Sequence, residues 1–231
     1  MILQMTRPVQ GGLRQERQFE LIANHLANVG TTGFKADILA FDQALKATQV
    51  VDFQSGDIRT TGNNLDVAIS GNGFFKIETA EGIRYTRDGG FTINQDMELV
   101  TQNGDPVLGD GAPIVLQGAE AETTDNIQIS EDGEIRVDGE VAGQLDIVTF
   151  DDLTRLRKDR SSLFVYEGLP ADERAADQYV VQQGALEGAN IATAVEMTKM
   201  IQVHRMYEAF QKMIQTFDEI DSKAVTEVGR L

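Results

Sequence analysis

Cysteine is absent from the 231-residue chain. That excludes disulfides, thiolate metal sites and redox thiol chemistry, although it assigns no compartment. Histidine is nearly absent, with His25 and His204 the only two. Neither has a carboxylate, serine or cysteine at a spacing that suggests a triad or a metal site, so each reads as a surface or partner-facing residue on a helix. Basic residues are scarce: 20 Lys and Arg stand against 37 Asp and Glu, for a net charge of −17. Phosphate binding needs clustered cations, so nucleic acid is not expected as a partner. No stretch approaches the roughly 18 apolar residues of a membrane helix, and membrane insertion is not expected. The opening MILQMTRPVQ is too short an apolar run for a signal-peptide core, and no small-residue cleavage site follows it. Export would then need a route without a cleaved signal.

What is present suffices for a packed protein. Hydrophobic residues make up 41% of the chain, unlike a disordered composition. The acidity belongs to the middle. Residues 51–180 hold ten basic and 26 acidic groups, while residues 1–50 hold five and four, and residues 181–231 five and seven. An acidic middle is first of all a well-solvated one.

Hydrophobic periodicity divides the chain into three. Phe19, Ile22, Leu26 and Val29 step by three and four, which predicts a helix over about 15–29 that stops at Gly30 in a left-handed cap. Pro8 and Gly11-Gly12 make the preceding residues a poorer helix. A second short amphipathic piece is expected over 37–47, with Ile38, Phe41 and Leu45 on one side. The middle then changes to strand period. LDVAI, GFFKIE, IRYTR and FTIN read as strands between Gly, Asp-Gly and Asn-Gly turns, and IQISEDGEIRV as a hairpin with Asp-Gly at its tip. QLDIVTF is a further strand. The C-terminal part returns to helix: Met200, Val203, Tyr207, Phe210, Ile214 and Phe217 form a seam of period 3.5, widened by Met197, Ile201, Met206, Met213 and Ile220.

The expected fold is therefore α+β. The N- and C-terminal helices would pair as a coiled-coil-like core domain, with a mainly antiparallel β domain inserted between them. The boundaries expected are 1–59 for the N-terminal part of the core, 60–180 for the β domain and 181–231 for the C-terminal helix.

Motifs for small-molecule chemistry are weak. SGNGFF at 70–75 lacks the third glycine of a dinucleotide fingerprint, and a strand follows it where a helix should begin. Asp88, Asn94 and Asp96, or Glu131, Asp132 and Glu134, lack the spacing and closing bidentate Glu of a calcium loop. No cofactor, metal, small-molecule substrate or catalytic activity is expected.

The most informative stretch is ANHLANVGTTGFK, residues 23–35. Two asparagines four apart sit in its helical part, although asparagine is a poor helix former. The stretch resembles the N-terminal signature of the bacterial flagellar basal-body rod and hook proteins over Leu26, Ala27, Asn28, Thr32, Gly33, Phe34 and Lys35. It departs at His25 and Gly30. NLDVAISGNGFFKIE with YTRDGGFTIN resembles the core of that family's β region, and GALEGANIATAVEMTKMIQVHRMYEAFQKMIQTFDEID its C-terminal helix. The short β region and the ending DEIDSKAVTEVGRL are most like proximal-rod members, with distal-rod members the alternative. A soluble acidic binding module is the rival of a different class.

The resemblance implies a structural subunit that stacks helically into the torque-transmitting shaft of the basal body. Its partners would be copies of itself and other rod proteins. It would leave the cell through the flagellar type III export apparatus, without a cleaved signal peptide, to work across the periplasm. The expected inter-subunit contacts are Asn24, Leu26, Ala27, Asn28, Thr32, Gly33, Phe34 and Lys35, with Met200, Val203, Tyr207, Phe210, Ile214 and Phe217.

Overall fold

The computed structural model describes residues 2–41, 47–116, 126–160 and 162–228. The expected α+β organisation needs correcting. The described chain is mainly β, with nineteen strands and only two α-helices, α1 at Ile2–Ala27 and α2 at Thr193–Val228. The helices touch, but they are not a core domain carrying an inserted β domain. Among the buried apolar side chains of the described residues only Ile22 and Val203 come from helices; the others belong to residues 34–185. The reason lies in the burial pattern. A period of 3.5 in α2 demands an apolar partner face, and α1 offers a largely small and polar one.

Two compact units are seen, α1 with α2 and residues 28–190. In the first, the helices run antiparallel. The ring of Phe210 lies against Gly11, and Nδ1 of His25 is 3.2 Å from Oε2 of Glu196. The shielded row of α1 is Gly11, Gln15, Gln18, Ile22 and His25, at steps of four and three. Phe19, expected on the buried stripe, is exposed, whereas Ile22 is buried and Leu26 and Val29 are half-buried. The helix also runs back through Gly11-Gly12 and Pro8 to Ile2, well beyond the predicted start at 15. Glu196, in the first turn of α2, places negative charge at the positive end of the helix dipole.

In the second unit a six-stranded antiparallel sheet takes the order Leu156–Lys158, Leu163–Tyr166, Gly82–Thr86, Phe74–Thr79, Ile147–Phe150, Glu173–Ala175. Alternation along each strand gives it two apolar faces. Phe75, Ile77, Ile147 and Leu163 join the larger core, with Val67, Ile69, Phe91, Leu99, Ile127 and Ile135 from neighbouring sheets. Phe74, Tyr85, Val148, Phe150 and Phe164 form the smaller core on the other face, where Phe74 meets Phe164 edge-on and Phe150 stacks on Tyr166 at 4.2 Å. The hairpin predicted around Asp132-Gly133 is present, pairing Ile127 with Val137 and Ile129 with Ile135, and Gly133 takes the left-handed φ of +88° that its turn requires.

One expected helix is a strand instead. Asp37–Phe41 pairs antiparallel with Ala47–Val51, while Leu45 lies outside the described residues. Three apolar positions over 37–47 cannot separate the two periods, and the antiparallel pairing decides it. Two further pairs matter for the site. Ala185–Glu187 pairs with Ile58–Thr60, and Tyr179–Gln183 with Val67–Gly71.

Candidate functional site

Helix α1 ends at Ala27, and residues 28–35 turn tightly. Thr31 N donates to Asn28 O at 3.0 Å, and the Thr31 hydroxyl donates to Asn28 Oδ1 at 3.3 Å. Asn28 thus serves the turn directly, as an asparagine side chain readily does. The left-handed residue is Gly33, with φ +64°, and not Gly30, which shows no positive φ. Gly33 is needed twice over. A Cβ there would also collide with the backbone of Arg87 and Asp88.

That close approach lets the turn dock on a buried ionic cluster centred on Glu187. Gly33 N donates to the Glu187 carbonyl at 2.8 Å. Lys35 Nζ donates to Glu187 Oε1 at 2.6 Å and to the Gln54 carbonyl at 2.7 Å. Gly56 N donates to the same Oε1 at 2.8 Å. Arg87 Nη1 donates to Glu187 Oε2 and to Ile69 O, both at 3.2 Å, while its Nη2 donates to Gly71 O at 2.7 Å. Lys35 and Glu187 are fully buried, and Arg87 is nearly so.

Two cations thus share one carboxylate, away from water. Burial pushes the Lys35 ammonium and the Arg87 guanidinium below their ordinary pKa values, and Glu187 pulls both back up. Removing charges from water costs several kcal/mol per ion, so such a cluster persists only when its geometry and hydrogen bonds are good. Here carbonyls of Gln54, Ile69 and Gly71 complete the shell. Arg87 Nε is buried without a hydrogen-bond partner among the described residues, and the guanidinium lies 5.2 Å above the Phe74 ring.

A second layer holds the turn from outside. The Thr32 hydroxyl donates to Asp88 Oδ1 at 2.6 Å, and burial raises the pKa of that carboxyl. Lys158 Nζ donates to the Lys35 carbonyl at 2.7 Å and to Asp37 Oδ2 at 2.8 Å, and stands 4.1 Å over the Phe34 ring. Asn190 Oδ1 accepts from Ala36 N at 2.7 Å, and its Nδ2 donates to Asp52 O at 2.9 Å. These bonds hold residues 31–37 against the strands of their own unit. Among the described residues no group of three or more acidic or histidine side chains could hold a metal ion.

The expected contact residues fall into two sets. Thr32, Gly33, Phe34 and Lys35 are gathered at the joint, with Phe34 and Lys35 buried. Asn24 and Ala27 are exposed on α1, and Leu26 and Asn28 are half-buried. On α2, Val203 is buried, Met200, Phe210, Ile214 and Phe217 are half-buried, and Tyr207 is exposed. The five residues that widen the stripe are all exposed: Met197, Ile201, Met206, Met213 and Ile220. His25 is buried against Glu196 and does not face solvent.

Sequence reasoning missed Glu187, Arg87, Asp88, Asn190 and Lys158. The first four sit inside the blocks GALEGAN and YTRDGG, and only Glu187, between Gly184 and Gly188, carried the signal of a charge flanked by glycines. Lys158 carried none. The Glu196 carboxylate beside His25 was invisible because it arrives from 171 residues away.

Known proteins match the chain along most of its length. Residues 68–137 match the family described as flagellar hook protein FlgE/F/G D1 domain, and residues 182–227 the family described as flagellar basal body rod FlgEFG protein C-terminal. The chain is 33% identical to the flagellar basal-body rod protein FlgF of Caulobacter vibrioides, over 93% of each chain. It is 32% identical to the FlgF of Rhizobium meliloti over 93% of this chain and 92% of that one. It is 30% identical to the flagellar basal-body rod protein FlgG of Bacillus subtilis over 94% and 97%.

Proposed function

The chain belongs to the family of flagellar hook and basal-body rod proteins, and from that membership we propose that it is a structural subunit of the basal-body rod, of the proximal FlgF type. The observation that carries the reading is the end-to-end match to rod proteins, at 93% of both chains for one FlgF. On this reading it has no catalytic role. It is exported through the flagellar type III apparatus without a cleaved signal, and assembles with its own copies and other rod proteins across the periplasm. No described helix is long and apolar enough to cross a membrane.

Exposed apolar side chains support the mechanical role. Leu13 and Phe19 on α1, with Tyr207 and the five stripe-widening residues on α2, remain uncovered by the chain itself. Heterologous contacts through such faces propagate into a filament when their rotation does not close a ring. We assign Asn24, Leu26, Ala27 and Tyr207 to direct inter-subunit contact. Thr32, Gly33, Phe34 and Lys35 serve assembly indirectly, by fixing the path of the chain after α1.

A photo-crosslinking residue placed at Ile201 or Ile220 in motile cells tests this. Adducts with copies of the chain or with another rod protein are expected. Adducts confined to an unrelated basic protein would instead favour the acidic binding module.

A further inference from the structure

With no cysteine and seven methionines, the chain carries all its sulfur as thioether. Four of the seven, Met197, Met200, Met206 and Met213, lie in α2. Three are about half exposed, at 54%, 51% and 45% for Met197, Met206 and Met213. Met200 is half-buried in the seam that includes buried Val203. At about 100° per residue, Met206, Met213 and Ile220 fall on one flank of that seam and Met197 with Ile201 on the other. The oxidisable side chains are therefore concentrated where α2 leaves its apolar surface uncovered.

We infer that Met197, Met206 and Met213 form an oxidation-sensitive modification site, at which sulfoxide formation prevents burial of the α2 flanks against a neighbouring subunit. The inference rests on the reading of α2 as an assembly surface. The oxidant is a peroxide. A thioether lone pair attacks one peroxide oxygen, the S–O bond forms as the O–O bond breaks, and hydroxide departs. The sulfur-bound oxygen then gives its proton to that hydroxide, leaving sulfoxide and water. Sulfur loses two electrons and peroxide gains them. Exposure selects the residues, because no thiolate competes. The product replaces a soft apolar contact with a strong acceptor. Burying that acceptor without a donor should weaken association by about tenfold or more per sulfoxide.

The full-length chain is treated with hydrogen peroxide and digested with trypsin. Lys199, Arg205 and Lys212 place the four α2 methionines on four separate peptides. Met197, Met206 and Met213 should gain oxygen several-fold faster than Met200, and equal rates would overturn the site. Co-sedimentation with the other rod subunits is then measured. The oxidised chain should lose it, and methionine sulfoxide reductases should restore it. A variant with Met197→Leu, Met206→Leu and Met213→Leu should keep co-sedimenting after the same treatment. An oxidised wild-type chain that assembles like the untreated one sinks the proposal and leaves the rod reading intact. An untreated chain that fails to assemble brings down the rod reading, and the switch with it, whatever the order of oxidation.

Discussion

Lys35 and Glu187 are 152 residues apart in the chain and 2.6 Å apart in the fold, both fully buried. Their contact ties the turn after α1 to the strand Ala185–Glu187 that precedes α2. Arg87, from the middle of the sequence, bonds the same carboxylate. Three separate stretches of sequence thus meet on one side chain, and rigidity at that point follows from charge that has nowhere else to go.

Removing the shared carboxylate should therefore cost more than the pair contributes. Glu187→Ala leaves two buried cations unpaired and should destabilise the chain by about 3–5 kcal/mol. Urea unfolding measures it. In a double-mutant cycle, Glu187→Ala should cost less once Lys35→Met is in place, and strict additivity would show that the two residues do not share the interaction.

Gly33→Ala meets two obstacles, a left-handed φ and the Arg87–Asp88 backbone. Strain at φ alone is of the order of 1–3 kcal/mol, with the clash added to it. Gly30→Ala, where no positive φ and no neighbour intervene, should be neutral within about 0.5 kcal/mol. Thermal unfolding of the two variants side by side decides it, and equal melting temperatures would refute the assignment of the left-handed residue.

At Gly11 an added methyl would lie 2.6 Å from the Phe210 ring. Gly→Ala inside a helix ordinarily gains about 1 kcal/mol, whereas overpacking costs about 1–3 kcal/mol. Gly11→Ala should destabilise the helix pair in the native background and stabilise it in a Phe210→Ala background. Far-UV circular dichroism against temperature reads the reversal. The same sign in both backgrounds would mean that the ring simply swings aside.

The Asp88 carboxyl has its pKa raised by burial, while the Thr32 hydroxyl and the Gly90 amide favour its charged form. A group raised in the folded state contributes stability below its unfolded value, about 4 for a carboxyl, and loses that contribution as pH rises through the folded value. Asp88→Asn keeps an oxygen for Thr32 and removes the titration. Its stability relative to wild type should therefore increase from about pH 4 to about pH 7, above the unfolded carboxyl value. A flat difference would mean that the carboxyl gains as much from its hydrogen bonds as it loses by burial.

Legibility followed the range of the interactions. Strands at Val67–Gly71 and Phe74–Thr79 and the Asp132-Gly133 hairpin were readable because alternation and turn chemistry act over a few residues. The amphipathic piece expected over 37–47 rests on three apolar positions, too few to fix a period, and Asp37–Phe41 pairs instead with the strand Ala47–Val51. The α2 seam was readable too, but α1 meets it at Phe210 with Gly11, and Met197, Ile201, Met206, Met213 and Ile220 stay exposed. A helical period marks a greasy face and says nothing of how greasy the facing surface will be.

By itself the sequence determined that helical ends flank a strand-rich middle, that the middle is acidic, and that the ends carry apolar stripes, because each follows from spacing and composition. Tertiary structure alone decided the pairings: Gly11 under Phe210, His25 with Glu196, and Lys35, Gly56 and Arg87 around Glu187. Those partners lie a hundred residues or more apart in the chain. Only the closed fold excludes the water that would otherwise solvate each charge separately.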